Sequence, residues 1–483
     1  MKRRNLLALA LAALVAGCGE HQGTPTESTP DFASKSNGAT IGINVVLKGP
    51  ATAAQLGQLA AYGKVLDQIV ALNAVHMSGK ASDLAAIQAL AFVSDAAPDA
   101  ERGGRPVAPV AVSDFAATGL NTWDLDAVNV TSAPLTTARA VTQDGSGVYV
   151  AILDTGLLPT WRQFFPAERI ASQFATSFGG GGNDRGSVSD QPNKWEQDVD
   201  AHGTHVTSSV LGYQLFGNRI NGVAPKATVI PVKVLNQNGR GWSSVIAHGI
   251  MYVADLKTTL NAPVVINLSL GGPNVDPIEN AAIDYAISKG VIVVAAAGNS
   301  GDQGMDFPAA YEPVISVAAA GWVGQWSCTP MPNPSWFVLC DVAEPTAASD
   351  FYIADFSGRS INANQDLDVV APGSWVVGPY QINNAQPNNS RGKSQGQYFF
   401  VSGTSEASPH VTGIVALMLQ KHPGLTAAEA EAILEESATP IPPGTRTIFE
   451  PLGTGLTPVV QTWGANATGA GLATADLALA ATP

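Results

Sequence analysis

Val150-Ala151-Ile152-Leu153-Asp154-Thr155-Gly156 is an apolar, branched run that ends on a carboxylate, a hydroxyl and a glycine. Such a run reads as a strand buried on both faces, and its polar end as the carboxyl end of a parallel strand. With its start at Val148 it is one of five runs of this type. The others are Thr228 to Val234, Val264 to Leu268, Val291 to Ala296 and Val314 to Ala318. One of the helical stretches between them is clearly punctuated: Asp276 caps it, Pro277 suits its first position, Lys289 complements its last turn and Gly290 ends it. The alternation predicts an α/β fold, a parallel sheet with helices on both faces.

Two more segments follow in order, Asp200-Ala201-His202-Gly203-Thr204-His205-Val206 and Ser402-Gly403-Thr404-Ser405-Glu406-Ala407-Ser408-Pro409-His410. With Asp154 they supply a carboxylate, an imidazole and a hydroxyl, the set that makes serine a nucleophile. A serine hydroxyl is protonated at neutral pH and attacks a carbonyl only when a base, here His202, takes its proton. The carboxylate of Asp154 fixes the tautomer of that base and stabilises its transient charge. Ser405 stands at the amino end of a helix in which Pro409 suits the first turn. Val411, Ile414, Val415, Leu417, Met418 and Leu419 make that helix apolar nearly all round, so it is buried and its dipole favours negative charge at Ser405. Other readings exist for each part. His202 and His205 with Asp198 or Asp200 are possible metal ligands, but no Glu lies between the histidines and no third histidine is nearby. Gly403-Thr404-Ser405-Glu406-Ala407 approaches the nucleophile elbow of α/β-hydrolases but has Ala407 in place of its last glycine. His410 reads as structural.

The order Asp, His, Ser and the three motifs together resemble the subtilisin-like (subtilase) serine endopeptidases. A fourth segment, Val291-Ile292-Val293-Val294-Ala295-Ala296-Ala297-Gly298-Asn299-Ser300-Gly301, is similar to the family stretch whose asparagine serves the oxyanion hole. The resemblance implies that Asn299 donates to the tetrahedral intermediate. It also implies that Ser269, Leu270 and Gly271 pair with an extended polypeptide substrate, and that Ala296, Ala297 and Gly298 wall the pocket for the residue before the cut. No charged residue stands in these stretches, which points to apolar or small side chains there. Glu406 follows the serine where the family usually has methionine, and its carboxylate is expected to raise the pKa of His202. Catalysis needs no cofactor. The resemblance allows structural calcium, but its ligands are not assignable and the metal sites are unknown. It runs from Thr122-Trp123-Asp124-Leu125-Asp126 to Gly469-Ala470-Gly471-Leu472-Ala473-Thr474-Ala475.

The 483 residues carry 25 basic and 39 acidic side chains, a formal charge of −14, which argues against nucleic acid as a partner. Residues 1–18 read as an export address. Lys2-Arg3-Arg4 precedes an apolar stretch too short to span a bilayer, and Leu14-Val15-Ala16-Gly17-Cys18 resembles a lipobox, so Cys18 is the expected site of lipidation and membrane anchoring in a bacterium. Ordinary signal cleavage with an incidental cysteine is the alternative. Cys328 and Cys340 then form an even pair in an oxidising compartment, as a disulfide or as two free or metal-bound thiols. Residues 19–39, rich in Thr, Ser, Pro and Gly, read as a flexible tether.

Residues 40–99 read as a small α+β unit. A strand over Thr40 to Lys48, a helix over Ala51 to Tyr62, two strands within Val65 to Met77, a helix capped by Ser82 to about Leu90 and a last strand from Phe92 give the split β-α-β-β-α-β order of ferredoxin-like domains. This resembles the inhibitory propeptide of secreted subtilases; a small permanent subdomain is the other reading. Residues 100–120, with glycines, prolines and arginines, form a processing linker where a cut between about Glu101 and Ala117 is accessible, and 121–483 form the catalytic domain. The expected protein is an exported, self-processing serine endopeptidase inhibited by its own propeptide and held by a lipid anchor before the cut. The competing class is a non-catalytic lipoprotein that holds peptides in the same groove, with a lipase or esterase disfavoured by the chain order.

Overall fold

A computed structural model of the chain describes residues 39–104, 107, 110–111, 122–132, 138–182, 186–215, 218–326, 342–380, 398–451 and 456–483. The readings for Cys18, the tether to residue 38, most of the processing linker, Cys328 and Cys340 lie outside these residues.

The amino-terminal unit is a four-stranded antiparallel sheet with two helices. Its elements are β1 (Thr40–Leu47), α1 (Ala53–Ala60), β2 (Gly63–Ile69), β3 (Ala74–Lys80), α2 (Leu84–Gln88) and β4 (Val93–Pro98), in the spatial order β2-β3-β1-β4. Alternation in β1 sends Ile41, Ile43, Val45 and Leu47 into a core shared with Leu59, Met77 and Ile87. Thr52 starts α1 through a reciprocal capping box with Gln55. The second helix differs from the expectation. A 3-10 turn over Ala81–Asp83 precedes it and no side chain caps it, because Ser82 turns its hydroxyl to Asp83.

The second sheet has nine strands. They include β5 (Tyr149–Asp154), β6 (Thr176–Gly179), β7 (Ser189–Asp190), β8 (Thr228–Lys233), β9 (Val264–Leu268), β10 (Val291–Ala296), β11 (Ile315–Trp322), β12 (Phe351–Ile353) and β13 (Val369–Pro372). The order is β12-β11-β10-β9-β5-β8-β6-β7, with β13 also on β11, and only the β11–β12 and β6–β7 pairs are antiparallel. The helices α3 (His202–Leu211), α4 (Ser243–Leu260), α5 (Pro277–Ser288) and α6 (Thr404–Lys421) pack on this sheet, α4 against α5 and α3 against α6. This is the α/β architecture expected. Asp276 caps α5 by accepting from the N–H groups of Ile278 and Glu279, with Pro277 in the first turn. Nearly every residue of α6 from Thr404 to Leu419 is buried, as its all-round apolar pattern requires.

Asn44 of β1 meets the amino ends of α4 and α5 through buried hydrogen bonds. Its amide donates to Asp276 Oδ2 (2.7 Å) and Asp99 Oδ1 (3.0 Å), while Asp99 accepts from the N–H of Ser244 at the start of α4. Two carboxylates thus cap two helices at one junction, where the helix dipoles favour negative charge.

Candidate active site

Asp154 ends β5 at the centre of the large sheet and is fully buried. Thr155 links it to α3: its hydroxyl donates to Asp198 (3.0 Å) and accepts from the N–H of Gly203 (2.8 Å). Two glycines make this approach possible. Gly156 has φ +88° with its missing side chain against Trp195 O, and a Cβ on Gly203 would lie 2.4 Å from Gly156 O. Asp198 also accepts from the N–H groups of Asp200 and Ala201, which holds Ala201 at φ +76° just before α3. Its carboxyl is pushed up to about 7, chiefly by burial and partly by Asp200, against the pull of Lys233.

His202 is the first residue of α3, and its Nδ1 lies 2.8 Å and 2.9 Å from the two oxygens of Asp154. Burial works against its positive form, but Asp154 outweighs that penalty and, with Glu406 and Asp200 adding to it, holds the imidazole at about 9. Its Nε2 has no hydrogen-bond partner among the described residues.

Ser405 is the second residue of α6. Its hydroxyl donates to Ser269 O at 3.3 Å, while the Ser269 hydroxyl donates to Ser405 O at 2.7 Å. Pro409 explains the second bond. It sits inside α6 rather than in its first turn as expected, and lacks the N–H that would have bonded the carbonyl four residues back, that of Ser405. Ser269 takes its place and ties β9 to the nucleophile. Asn267 extends the tie, donating to Ser269 Oγ and accepting from Ser408 and Thr412. Asn299 follows β10, and its Oδ1 accepts from both the N–H and the hydroxyl of Thr404. That fixes the amide with Nδ2 as its remaining donor, near Gly403 and Ser405. The structure therefore brings Asp154 and His202 into contact and sets Ser405 and Asn299 beside each other at the start of α6.

His410 is elsewhere, bridging Glu406 O and Asp124. His205 turns from His202 toward Glu406 (3.4 Å) and packs edge-on against Tyr380. Among the described residues no three His, Cys, Asp or Glu side chains form a metal site.

The groove beside Ser405 is filled by the chain itself. Glu101–Gly103 forms a strand antiparallel to Arg240–Trp242, and Gly103 exchanges both backbone hydrogen bonds with Gly271 (2.9 and 3.0 Å). Gly104 donates to Gly239 O, and a Cβ on it would lie 3.1 Å from His202 Cε1. Past the centre, Val107 donates to Ser402 O, and Val110–Ala111 pairs with Tyr398–Val401. Ala297 and Gly298 stand opposite Gly271 across Asp306: a Cβ on Gly271 would meet Asp306 Cβ at 2.7 Å, and one on Gly298 would meet Asp306 Cγ at 2.6 Å. Ala296 ends β10 behind them, and Leu270 is buried under the rim. Gly239–Trp242, Asp306 and Glu279 could not be recognised as groove residues from sequence, since none belongs to a catalytic motif. Arg102 in the filled groove could have pointed to an acidic partner.

A model of the subtilase family matches residues 145–464. Subtilisin DY of Bacillus licheniformis is 33% identical over 299 residues, which span 61% of this chain and 85% of that protein. The extracellular serine proteinase of Thermus sp. is 30% identical over 382 residues, 77% of each chain. Among solved structures, fervidolysin from Fervidobacterium pennivorans, described as a keratinolytic enzyme related to subtilisin, has the same fold with a TM-score of 0.59 at 23% identity, over 92% of this chain and 62% of its own.

Proposed function

The chain belongs to the subtilase family and is a serine-type peptidase, and from that premise we propose an exported endopeptidase made as a precursor that cuts itself. In this reading Ser405 attacks the substrate carbonyl, His202 takes its proton through Nε2, and Asp154 holds the Nδ1–H tautomer and stabilises the imidazolium. The Ser405 hydroxyl exchanges its bond to Ser269 O for one to His202 as the proton leaves. Asn299 Nδ2 and the unpaired N–H of Ser405 at the helix start receive the oxyanion. His202 then returns the proton to the leaving amine, and water repeats the sequence on the acyl-enzyme.

One observation carries the self-processing reading: Glu101–Gly103 pairs with Arg240–Trp242 and Gly271 as an extended substrate would, Gly104 lies beside His202, and Val107 donates to Ser402 O. The cut therefore falls between Gly104 and Val107, and residues 40–99 act as the inhibitor until they leave. The basic and apolar leader supports export, and the relative named an extracellular proteinase agrees with it. With Cys18 lipidated, the membrane keeps the amino-terminal fragment and the protease departs. Cys328 and Cys340 pair after export, a loop closure worth about 3 kcal/mol in the chain-entropy model.

The test is incubation of wild type and Ser405→Ala with a serine-directed fluorophosphonate and with denatured casein. Only the wild type is expected to gain the adduct and release peptides. Equal labelling of both chains would refute the role of Ser405. Fractionation of expressing cells checks the anchor: Ser405→Ala stays full-length in the membrane, and an active enzyme wholly attached contradicts release.

A further inference from the structure

Arg102 is an arginine of the groove strand that is 1% exposed, with a carboxylate built to meet it. Its Nε lies 3.1 Å from both oxygens of Glu279, and its Nη2 donates to Glu279 Oε2 at 2.6 Å and to Asn274 O at 3.0 Å. Glu279 is itself fully buried in the first turn of α5. The pair is the planar fork that suits arginine and not lysine.

The strand that carries Arg102 lies where a substrate must lie, bonded to Arg240–Trp242 on one side and to Gly271 on the other. Antiparallel pairing advances two residues at a time. A substrate residue two beyond the one on Gly271 therefore falls opposite Ser269, whose carbonyl is 3.3 Å from Ser405 Oγ. Its own carbonyl is the one presented for attack. In the same register the residue bound like Arg102 is the fourth before the scissile bond. The residue directly before that bond faces the pocket walled by Gly271 and Gly298, where Asp306 stands between the two walls.

We propose that Glu279 and Asp306 make this groove selective for peptides with arginine in the fourth position before the cut and a basic residue directly before it. The proposal rests on the peptidase reading and names the substrate class of that site. It replaces the expectation of an apolar or small preference, which rested on the pocket walls alone. The chain's own sequence has the pattern as Arg102-Gly103-Gly104-Arg105, of which Arg105 lies outside the described residues. The physical basis is the asymmetry of burial: an apolar side chain in place of arginine leaves Glu279 desolvated and without a partner, whereas arginine restores its bonds. Sites built around a buried polar partner reject the analogue that lacks it by several powers of ten, about 10⁴ in strong cases, while a missing methylene in an apolar pocket costs only about 10- to 200-fold.

The test compares kcat/KM of the processed full-chain product on three peptidyl-coumarylamides, Arg-Gly-Gly-Arg, Leu-Gly-Gly-Arg and Arg-Gly-Gly-Leu, for wild type, Glu279→Gln and Asp306→Asn. In the wild type each leucine peptide is expected to be at least about 100-fold poorer. Glu279→Gln should reduce the discrimination at the first position to within about tenfold and leave that at the last position in place, and Asp306→Asn should do the converse. The wild-type comparison stands alone if a variant fails to fold. Wild-type enzyme that labels with fluorophosphonate and digests casein yet turns over all three peptides alike, or prefers leucine, overturns the proposal and leaves the peptidase reading intact. Wild type that neither labels nor digests casein overturns both.

Discussion

The sheet of residues 40–98 encloses a core of ten buried apolar residues, Ile41 to Ala96, while the nine-stranded sheet and α6 enclose one running from Ile69 to Leu479. A unit of about 60 residues buries too little surface to be more than marginally stable alone. Its attachment is of a different kind from either core. Val46, Ile69, Leu72 and Ala74 pack on the larger core, and beside them stand polar contacts: Asn44 with Asp99 and Asp276, Arg102 with Glu279, and Asp67 with His248 at 2.9 Å. Apolar cores tolerate the loss of a contact gradually, whereas a buried polar network depends on every partner being present. A junction of this kind holds the small unit firmly while every partner is in place, which fits the proposed role of that unit as a removable inhibitor.

Arg102→Ala should break this junction most. It leaves Glu279 buried and unpaired at a cost of about 3–5 kcal/mol, so the cleaved amino-terminal fragment should dissociate faster and inhibit the protease less in a competition assay. Unchanged inhibition would mean that apolar contacts dominate the junction. On the catalytic side, Asn299→Ala should lower kcat about 100- to 1,000-fold with little change in KM. That magnitude is the one known for subtilisin itself and is borrowed here. Thr52→Ala removes the cap of α1 and should lower the unfolding free energy of the small unit by about 1 kcal/mol in the uncleaved Ser405→Ala chain, read from its denaturant midpoint. A loss shared by the large unit would show that the two unfold together.

The smallest effect concerns pH. Glu406 helps hold His202 at about 9, and in its proposed role as base the imidazole accepts the serine proton only when unprotonated. Removing that charge in Glu406→Gln destabilises the imidazolium and makes the base available at lower pH. The acid limb of kcat/KM should therefore move down the pH scale, and superimposable profiles would show that Glu406 does not act on His202.

The large sheet was legible because its central strands are continuous branched runs; β9 and β10 fall on the residues anticipated. Thr176–Gly179 and Phe351–Ile353 escaped because short edge strands carry too few residues for a periodic signal. Asp154 and His202 could be paired from chemistry and order, since a base needs an orienting carboxylate. The role of Pro409 could not, because it depends on which side chain from β9 reaches the carbonyl that proline leaves unbonded. The charged pockets were hidden for a similar reason: Glu279 and Asp306 reach the groove from a helix start and a loop whose local patterns speak only of capping and turning.

In the proposed function Ser405 cuts its own chain between Gly104 and Val107. Intact-mass measurement of purified wild type and Ser405→Ala after equal incubation tests this directly. The wild type should resolve into two fragments whose junction lies between Gly104 and Val107, while Ser405→Ala stays whole. Cleavage of both chains at that junction, or of neither while casein is still digested, would contradict the account.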